Sequence, residues 1–297
     1  MFATVLGPMP EPPEGPDRLT TILVAQAEAG LEPLTDGGTA ASAVEVPGSV
    51  IERWQSAAAR TDRAVKAVLG GPYSATWQQG APRRRRDRER AAVAAAEAIH
   101  LEVAALASAG CPLVEIVEDA ADRIGEDESE RRLFREAHRR LAEGIVGTHL
   151  SLSIVGGSAW AAGPSTILDP PYASLAVDLI AGPDNWRLVA EVPADRGVVV
   201  GVLSARADLP DGPDVLLYAA HYAGSTRGRG LDRVGLGTAG GLSSLSWSAA
   251  VAKLGRLGEA ARLAVAPAVD QAWAMDPRAV SSRAAALGRP RRDRPRS

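Results

Sequence analysis

The sequence predicts an α/β fold of the (β/α)8 TIM barrel type, and three observations support this prediction. The chain has 297 residues, of which 46% are hydrophobic and 23% charged, as in a globular protein with a substantial core. Short apolar or β-branched runs alternate with longer helical stretches along the chain, which is typical of βα units around a parallel sheet. Eight such runs are present, and a barrel of this type needs eight strands.

The eight candidate strands follow one another at intervals that leave room for helices between them. They lie at 2–6, 31–34, 64–69, 112–117, 144–151, 173–178, 197–203 and 233–237. The clearest helices lie at 83–109, 128–143, 213–222 and 244–266. Residues 1–275 are therefore predicted to form a single barrel domain, and the polar, arginine-rich segment 276–297 is predicted to be a disordered tail.

Composition and charge exclude several classes of protein. A single cysteine, Cys111, cannot form an internal disulfide, and the N-terminus lacks the basic segment of a signal peptide, so we expect a cytoplasmic protein. No run approaches the roughly 18 consecutive apolar residues of a membrane span. Two arginine-rich segments, 83–90 and 289–297, hold much of the positive charge and leave an acidic body, which does not favour nucleic acid. We expect a small-molecule ligand, no nucleic-acid partner and no membrane partner, and the sequence does not predict the oligomeric state.

Two polar residues are candidates for catalysis, because active sites of such barrels lie in the loops after the C-terminal ends of the strands. Glu118 ends the fourth predicted strand. We interpret its carboxylate as catalytic, and the alternative is a hydrogen bond to a neighbouring loop or a cap on the next helix. His149 lies near the end of the fifth predicted strand, and it is either a general base or a buried imidazole that fills the mouth of the barrel.

Three further residues are candidates for ligand binding. Trp77 lies in the loop after the third predicted strand, where its indole either stacks on a flat aromatic ligand or packs within the loop. The glycine-rich segment 224–230 has the composition of a flexible loop at the mouth, and its Arg227 and Arg229 suit phosphate or carboxylate groups. The segment lacks the lysine and the strand-loop-helix context of a P-loop, so a P-loop is not predicted.

Six short motifs, read in order along the chain, resemble the C-terminal catalytic barrel of cobalamin-independent methionine synthase. The most specific is 65–77, Val-Lys-Ala-Val-Leu-Gly-Gly-Pro-Tyr-Ser-Ala-Thr-Trp, which is similar to the family's Val-Lys-x-x-Leu-Thr-Gly-Pro-x-Thr-x-x-x-Trp. The other five are 3–10, 26–38, 102–121, 148–151 (similar to Thr-His-x-Cys) and 240–242 (similar to Cys-Gly-Leu). The chain is identified as a diverged member of this family with a methionine-synthase-like barrel.

The resemblance implies a mechanism in which zinc binds the homocysteine thiol and lowers its pKa, so that the thiolate takes a methyl group from a folate. It also implies a His, Cys, Glu, Cys ligand set, whose matching positions here are His149, Ser151, Asp178 and Gly240. Only His149 and Asp178 remain as remnant zinc ligands, because serine is a weak donor and glycine has no side chain. Ser151 then becomes a candidate for substrate binding. Trp77 matches a tryptophan near the folate ring, so folate binding stays open.

The resemblance also identifies changes at the positions that bind or protonate the family's substrates. Pro8, Gly38 and Val117 stand where the family has a serine and two carboxylates, and Leu203 stands where it has a proton-donating histidine. Three functions stay open. They are a zinc-dependent thiol methyltransferase with a rebuilt site, a changed small-molecule chemistry on the same barrel, and a non-catalytic homologue that binds a ligand or partner.

Overall fold

The computed structural model describes residues 1–15, 17–38, 48–78, 80–81, 84–206 and 211–275, so the predicted tail, 276–297, lies outside the described residues. Seven strands in this part form one sheet, and every neighbouring pair is parallel. They are β1 (Phe2–Thr4), β2 (Ala67–Gly70), β3 (Leu113–Glu118), β4 (His149–Ile154), β5 (Ser174–Asp178), β6 (Gly197–Ser204) and β7 (Val234–Ala239). Their spatial order is β1-β7-β6-β5-β4-β3-β2, so β1 and β2 form the two edges.

A short extended segment, 31–34, links the two edges of the sheet. Glu32 donates its N–H to a carbonyl of β1 (2.9 Å), and the carbonyl of Leu34 accepts from the N–H of Lys66, the residue before β2 (2.9 Å). This second predicted strand is therefore present as two isolated bridges. A regular strand does not form because Pro33, at its centre, has no N–H to donate to a ladder.

Nine α-helices in the described residues connect the strands and cover the outer face of the sheet. They are α1 (Arg18–Glu28), α2 (Ser49–Ala58), α3 (Arg85–Ser108), α4 (Glu128–Ala142), α5 (Pro164–Ile167), α6 (Asn185–Glu191), α7 (Pro213–Ser225), α8 (Trp247–Ala264) and α9 (Ala268–Met275). Side-chain caps fix the starts of three of them. Asp17 accepts from Thr20 N at α1 (3.2 Å), Asp127 accepts from Ser129 N at α4 (2.8 Å), and Ser246 caps α8.

The helix α3 is the one helix in the described part of the chain that is long and apolar enough to cross a membrane, by length and composition alone. Its buried residues recur every three or four positions, at Ala92, Ala96, Ile99 and Val103, and so share one face. That face packs against the rest of the domain, beside α4. One-sided burial of this kind is typical of a helix on a protein core.

The interior of the curved sheet is only partly filled. Phe2, Leu6, Ala176 and Val199 form a small apolar cluster there, separate from the larger core between the sheet and the helices. The positions that β4, β5 and β6 contribute beside this cluster are small: Ser151, Ser174 and Gly197. A cavity of about 350 Å³ therefore remains inside the sheet near the N-terminal ends of the strands.

The strand β4 begins later than the sequence predicts, which changes the position of His149. The predicted strand covers 144–151, whereas the observed strand covers His149–Ile154. Gly144 and Gly147 adopt φ angles of 67° and 84°, in the left-handed region that a strand does not use. His149 is therefore the first residue of β4 and lies at the N-terminal end of the sheet.

Candidate functional site

The mouth of the fold is the end of the sheet at which the strands finish, and functional residues of parallel βα folds normally lie there. Three of the predicted site residues lie at this end, because each ends or follows a strand: Glu118, Asp178 and Trp77. The other four lie toward the N-terminal end: His149, Ser151, Arg227 and Arg229. The predicted site is therefore split between the two ends of the sheet.

Glu118, the last residue of β3, is fully buried and holds the loop that follows β2. Its Oε1 accepts a hydrogen bond from Tyr73 N (3.0 Å), and its Oε2 accepts from both the backbone N (2.7 Å) and the hydroxyl of Ser74. A β-carbon at Gly71 would lie 2.1 Å from Oε1, so glycine is required where the loop passes the carboxylate. These contacts match the alternative to catalysis in the sequence analysis, a hydrogen bond to a neighbouring loop.

His138 on α4 is a further partner of Glu118, and it was not predicted as a site residue. Its Nε2 lies 2.9 Å from Glu118 Oε1, and both side chains are fully buried. Its Nδ1 lies 2.7 Å from the Tyr172 hydroxyl, and burial, with the nearby Glu118 charge, raises the pKa of Tyr172 well above its ordinary value. The available signal was the position of His138 on the buried face of α4, four residues after Phe134.

Asp178, the last residue of β5, is buried and holds the turn after the strand with one of its carboxylate oxygens. Its Oδ1 accepts from the backbone N of Ile180 (2.8 Å) and of Ala181 (2.9 Å), which fixes the turn after the strand. A β-carbon at Gly240 would lie 3.7 Å from Oδ2. Oδ2 of the buried Asp178 therefore lies beside position 240, in the loop after β7.

Trp77 lies at the mouth, in a 3-10 helix after β2, and its side chain is 37% exposed. The guanidinium carbon of Arg88 is 3.9 Å from the indole centroid, and that of Arg123 is 5.0 Å away. Arg88 is held in place by two hydrogen bonds to Glu130 (3.0 and 2.8 Å). A flat ligand that stacks on this indole would have to share it with these guanidinium groups.

Glycines allow the loops of the mouth to approach one another closely. A β-carbon at Gly241 would lie 2.3 Å from Pro8 Cδ, and one at Gly182 would lie 2.4 Å from the carbonyl oxygen of Gly157. Leu242 N donates to Pro8 O (2.7 Å) and fixes the loop after β7 against the loop after β1. Pro8, which stands where the resembled family has a serine, is therefore a packing residue here.

The prediction that His149 lies at the mouth is wrong, because β4 starts at this residue. His149 Nε2 lies 2.8 Å from Ser174 Oγ, and Ser174 Oγ donates to Ser151 Oγ (2.8 Å). All three side chains line the interior cavity. Partial burial lowers the pKa of the His149 imidazole below its ordinary value, which favours the neutral ring.

His149 and Asp178 do not fit a common zinc site. The register pairs Ile154 with Val177, so Asp178 is level with position 155, six residues beyond His149 along the strand direction. At about 3.3 Å per residue these positions are about 20 Å apart, whereas zinc lies within about 2.0–2.3 Å of each ligand. In the residues that the structure describes, no group of three or more His, Cys, Asp or Glu side chains could hold a metal ion. The described residues therefore do not fit the zinc site that the resemblance implies.

The prediction that Arg227 and Arg229 lie in a mouth loop is also wrong. Both lie in the connection from α7 to β7, and a segment that leads from a helix into a strand reaches the N-terminal end of the sheet. Arg229 is buried and donates to the carbonyls of Val192 (2.7 Å) and Ala223 (2.8 Å). Arg227 is exposed and pairs with Glu191 (2.6 Å). Both guanidinium groups are thus bound to the protein itself.

The sheet of this chain is parallel and curved, its helices lie on the outside, and buried carboxylates end two of its strands. These features place the chain in the class of barrel-like α/β proteins. Within that class, the model of the family described as "Cobalamin-independent synthase, Catalytic domain" matches residues 39–263. The chain therefore belongs to this family. No sequence among the curated proteins matches the chain.

Solved structures show the same fold at low sequence identity. A B12-independent methionine synthase from Shewanella sp. W3-18-1, in complex with selenomethionine, superposes with a TM-score of 0.73 at 15% identity, over 88% of this chain and 96% of that chain. A Listeria monocytogenes protein assigned as a vitamin-B12-independent methionine synthase gives 0.69 at 13% identity, over 88% and 97%. A methyltransferase from Methanosarcina mazei gives 0.54 at 18% identity, over 72% and 63%.

Proposed function

We propose that this chain is a diverged member of the family that binds a small molecule and does not carry out zinc-dependent methylation of a thiol. The observation that carries the proposal is the separation of His149 from Asp178, which lie at opposite ends of the sheet. The other two matched positions, Ser151 and Gly240, supply no thiolate, and thiolates are the ligands that bind zinc most tightly in such sites.

We further propose that the fold is a closed barrel in which the segment 31–34 replaces the second of eight strands. Its hydrogen bonds to β1 and to Lys66 support this interpretation. The organisation of 1–275 as one domain is proposed from the alternation of apolar runs and helical stretches along the sequence. The cytoplasmic location and the lack of nucleic-acid or membrane partners are proposed from composition and charge. Folate binding at Trp77 is not part of the proposal, because two guanidinium groups already lie over the indole.

Zinc content and methyl transfer test the proposed function. Tag-free protein is dialysed against a weak chelator, and zinc per chain is measured by elemental analysis together with methylation of homocysteine. We expect zinc far below one per chain and no methylated product. About one zinc per chain, lost in Asp178→Ala and retained in the control variant His149→Ala, would refute the proposal and indicate a metal site at the mouth.

A second candidate function is a changed chemistry at the mouth, and the orientation of Asp178 favours it. Oδ2 faces Gly240, while Oδ1 is held by two backbone N–H groups. Asp178→Asn keeps the Oδ1 acceptor and alters only the group that faces the mouth. If the mouth carries the chemistry, a metabolite that this protein converts will no longer be converted by Asp178→Asn, although its melting temperature stays close to that of the wild type. Unchanged conversion by this variant would exclude Asp178.

A further inference from the structure

We infer that the interior cavity at the N-terminal end of the sheet is a binding site for a small, uncharged molecule that carries hydroxyl groups on an apolar body. The inference rests on the proposed small-molecule binding and places it at the end opposite the mouth. Barrel interiors of this class are normally filled by layers of side chains. Here about 350 Å³ stays open, within the range of about 300–1,000 Å³ that is usual for small-molecule pockets.

The cavity exists because small residues occupy interior positions on three adjacent strands. Ser151 on β4 pairs in register with Ser174 on β5, and Ser174 pairs with Gly197 on β6. Bulky branched residues dominate such positions in barrels that are filled. On the other side of the cavity, Phe2 and Leu6 from the β1 segment give an apolar wall. The space is thus bounded by a polar side and an apolar side.

A buried ion pair forms part of the polar wall of the cavity. Lys66 and Glu115 are 3% and 2% exposed, and the ammonium group is paired with Glu115 Oε2. Lys66 Nζ also donates to Val5 O (2.8 Å). The second oxygen of the carboxylate, Oε1, is buried and has no hydrogen-bond partner among the described residues. A buried acceptor without a hydrogen bond is unfavourable, so this oxygen marks a place for a donor.

The charges of this ion pair select the kind of group that fits beside it. Two of the three N–H groups of Lys66 are used by Glu115 and Val5, which leaves one donor next to the unused acceptor of Glu115. A hydroxyl group can satisfy both, since it donates to Oε1 and accepts from Nζ. An ammonium group would be repelled by Lys66 and a carboxylate by Glu115, and either would bury an additional charge.

A chain of hydrogen bonds supplies a second polar contact. Because Ser174 Oγ donates to Ser151 Oγ, His149 Nε2 is assigned as the donor to Ser174, which fixes the neutral tautomer with its proton on Nε2. The hydroxyl hydrogen of Ser151 is then available to a ligand oxygen. Ser151 is the register partner of Glu115, so the two polar contacts lie side by side on neighbouring strands.

The cavity has its own entrance, away from the mouth. His149 is partly exposed, and Asp195, Asp232 and Arg233 complete the lining at the N-terminal ends of β6 and β7. Asp195 lies in the loop before β6, and Asp232 and Arg233 lie in the 3-10 helix before β7; all three are exposed to solvent. A small molecule can therefore enter without passing the tightly packed loops of the mouth.

Binding of 1,2-hexanediol to the full chain tests the inference by NMR of methyl-labelled protein. The probe has two adjacent hydroxyl groups and an apolar tail, and the methyl groups of Leu6 and Val199 report from the cavity wall. We expect saturable shifts of these two methyl signals. Hexanoate and hexylammonium, which carry the same tail with a charge, are expected to shift them at least tenfold less at equal concentration. Absence of saturable shifts with the diol, or equal shifts with a charged analogue, would overturn the inference.

Matched variants on β4 locate the binding. Ser151→Ala removes the hydroxyl that faces the ligand and is expected to weaken the diol about fivefold, the effect of one hydrogen bond. Ser153→Ala, two residues further along the same strand and outside the cavity lining, is the control with unchanged affinity. Ser151→Ile fills the cavity and is expected to abolish the shifts. If this variant does not fold, Ala176→Val narrows the cavity and serves in its place.

Equal affinity of Ser151→Ala and Ser153→Ala, or binding that survives in a folded filling variant, would refute this site. Zinc content and methyl transfer do not depend on the cavity variants, because Ser151 and Ala176 lie about 13 Å and 7 Å below the level of Asp178 at about 3.3 Å per residue of strand. If the diol does not bind and the protein contains no zinc, the cavity is not a binding site, and the proposed loss of zinc-dependent methyl transfer is unaffected. About one zinc per chain would refute the proposed function, whether or not the diol binds.

Discussion

The substitution Glu118→Gln tests whether this buried carboxylate has a structural role. Glutamine keeps the size of the side chain and one acceptor oxygen, and it replaces the other oxygen by an NH2 group. If the amide oxygen stays on Ser74, where it keeps two hydrogen bonds, the NH2 group faces the N–H of Tyr73. A donor then meets a donor inside the protein.

The expected cost follows from these contacts. One hydrogen bond to a charged acceptor is lost, which is worth about 1.5–3 kcal/mol, and the buried N–H of Tyr73 is left unsatisfied. The contact between the carboxylate and His138 is weakened as well. We expect a loss of about 3 kcal/mol, which for a domain of this size lowers the melting temperature by roughly 6–12 °C. Glu118→Ala removes every contact and is expected to cost about 3–5 kcal/mol.

Thermal unfolding followed by circular dichroism measures the effect, with Asp119→Asn as the matched control. Asp119 is the next residue, is exposed, and undergoes the same chemical change from carboxylate to amide. We expect this control to stay within about 0.5 kcal/mol of the wild type. The comparison separates the buried hydrogen bonds of Glu118 from a general effect of losing one negative charge.

Equal melting temperatures for Glu118→Gln and Asp119→Asn would refute this reasoning. The loop after β2 would then be held by its own packing, and the carboxylate of Glu118 would be free for another role. If ligand conversion were lost under the same conditions, the catalytic interpretation of Glu118 would be restored. A large fall in the stability of Glu118→Gln would instead show that the carboxylate holds the loop after β2 in place.

Two further predictions concern the N-terminal end of the sheet. The pKa of His149 is lowered in the folded protein, so the unfolded chain takes up the proton first as the pH falls; stability should decrease below the unfolded pKa of about 6.5. The difference in melting temperature between pH 7.5 and 5.5 should shrink in His149→Gln, and an unchanged difference would contradict the lowered pKa. Arg229→Met should cost about 3 kcal/mol or more in urea unfolding, because buried carbonyls lose a charged donor, whereas Arg227→Met should stay within about 1 kcal/mol. Similar values for the two arginine variants would count against the structural role of Arg229.

Much of the fold could be predicted from the sequence because strands and helices leave different periodicities. The long helices were located to within a few residues, and seven of the eight predicted strands overlap the observed ones. The segment 31–34 was predicted as a strand from its apolar character, yet Pro33 limits it to isolated bridges. A count of apolar runs alone therefore does not establish a closed eight-stranded barrel.

The position of the site was harder to predict, because it depends on where each strand begins. The run 144–151 is apolar enough for a strand, but the left-handed conformations of Gly144 and Gly147 move the start of β4 to His149. A shift of five residues corresponds to about 16 Å along a strand. That distance carries His149 from the mouth to the opposite end. Sequence spacing indicates which residues share a face, and it does not indicate which end of the sheet they reach.

The distribution of polar groups gives a physical reason to look for a ligand at the N-terminal end. At the mouth, Glu118 and one oxygen of Asp178 bind backbone N–H groups, so their burial is compensated within the protein. In the cavity, Glu115 is buried with one oxygen unsatisfied, although its neighbour Lys66 is paired with the other. A buried ion pair is often no more stable than apolar residues of the same volume, and an unsatisfied oxygen adds to its cost. A hydroxyl-bearing ligand would offset that cost, whereas no contact within the described protein does so.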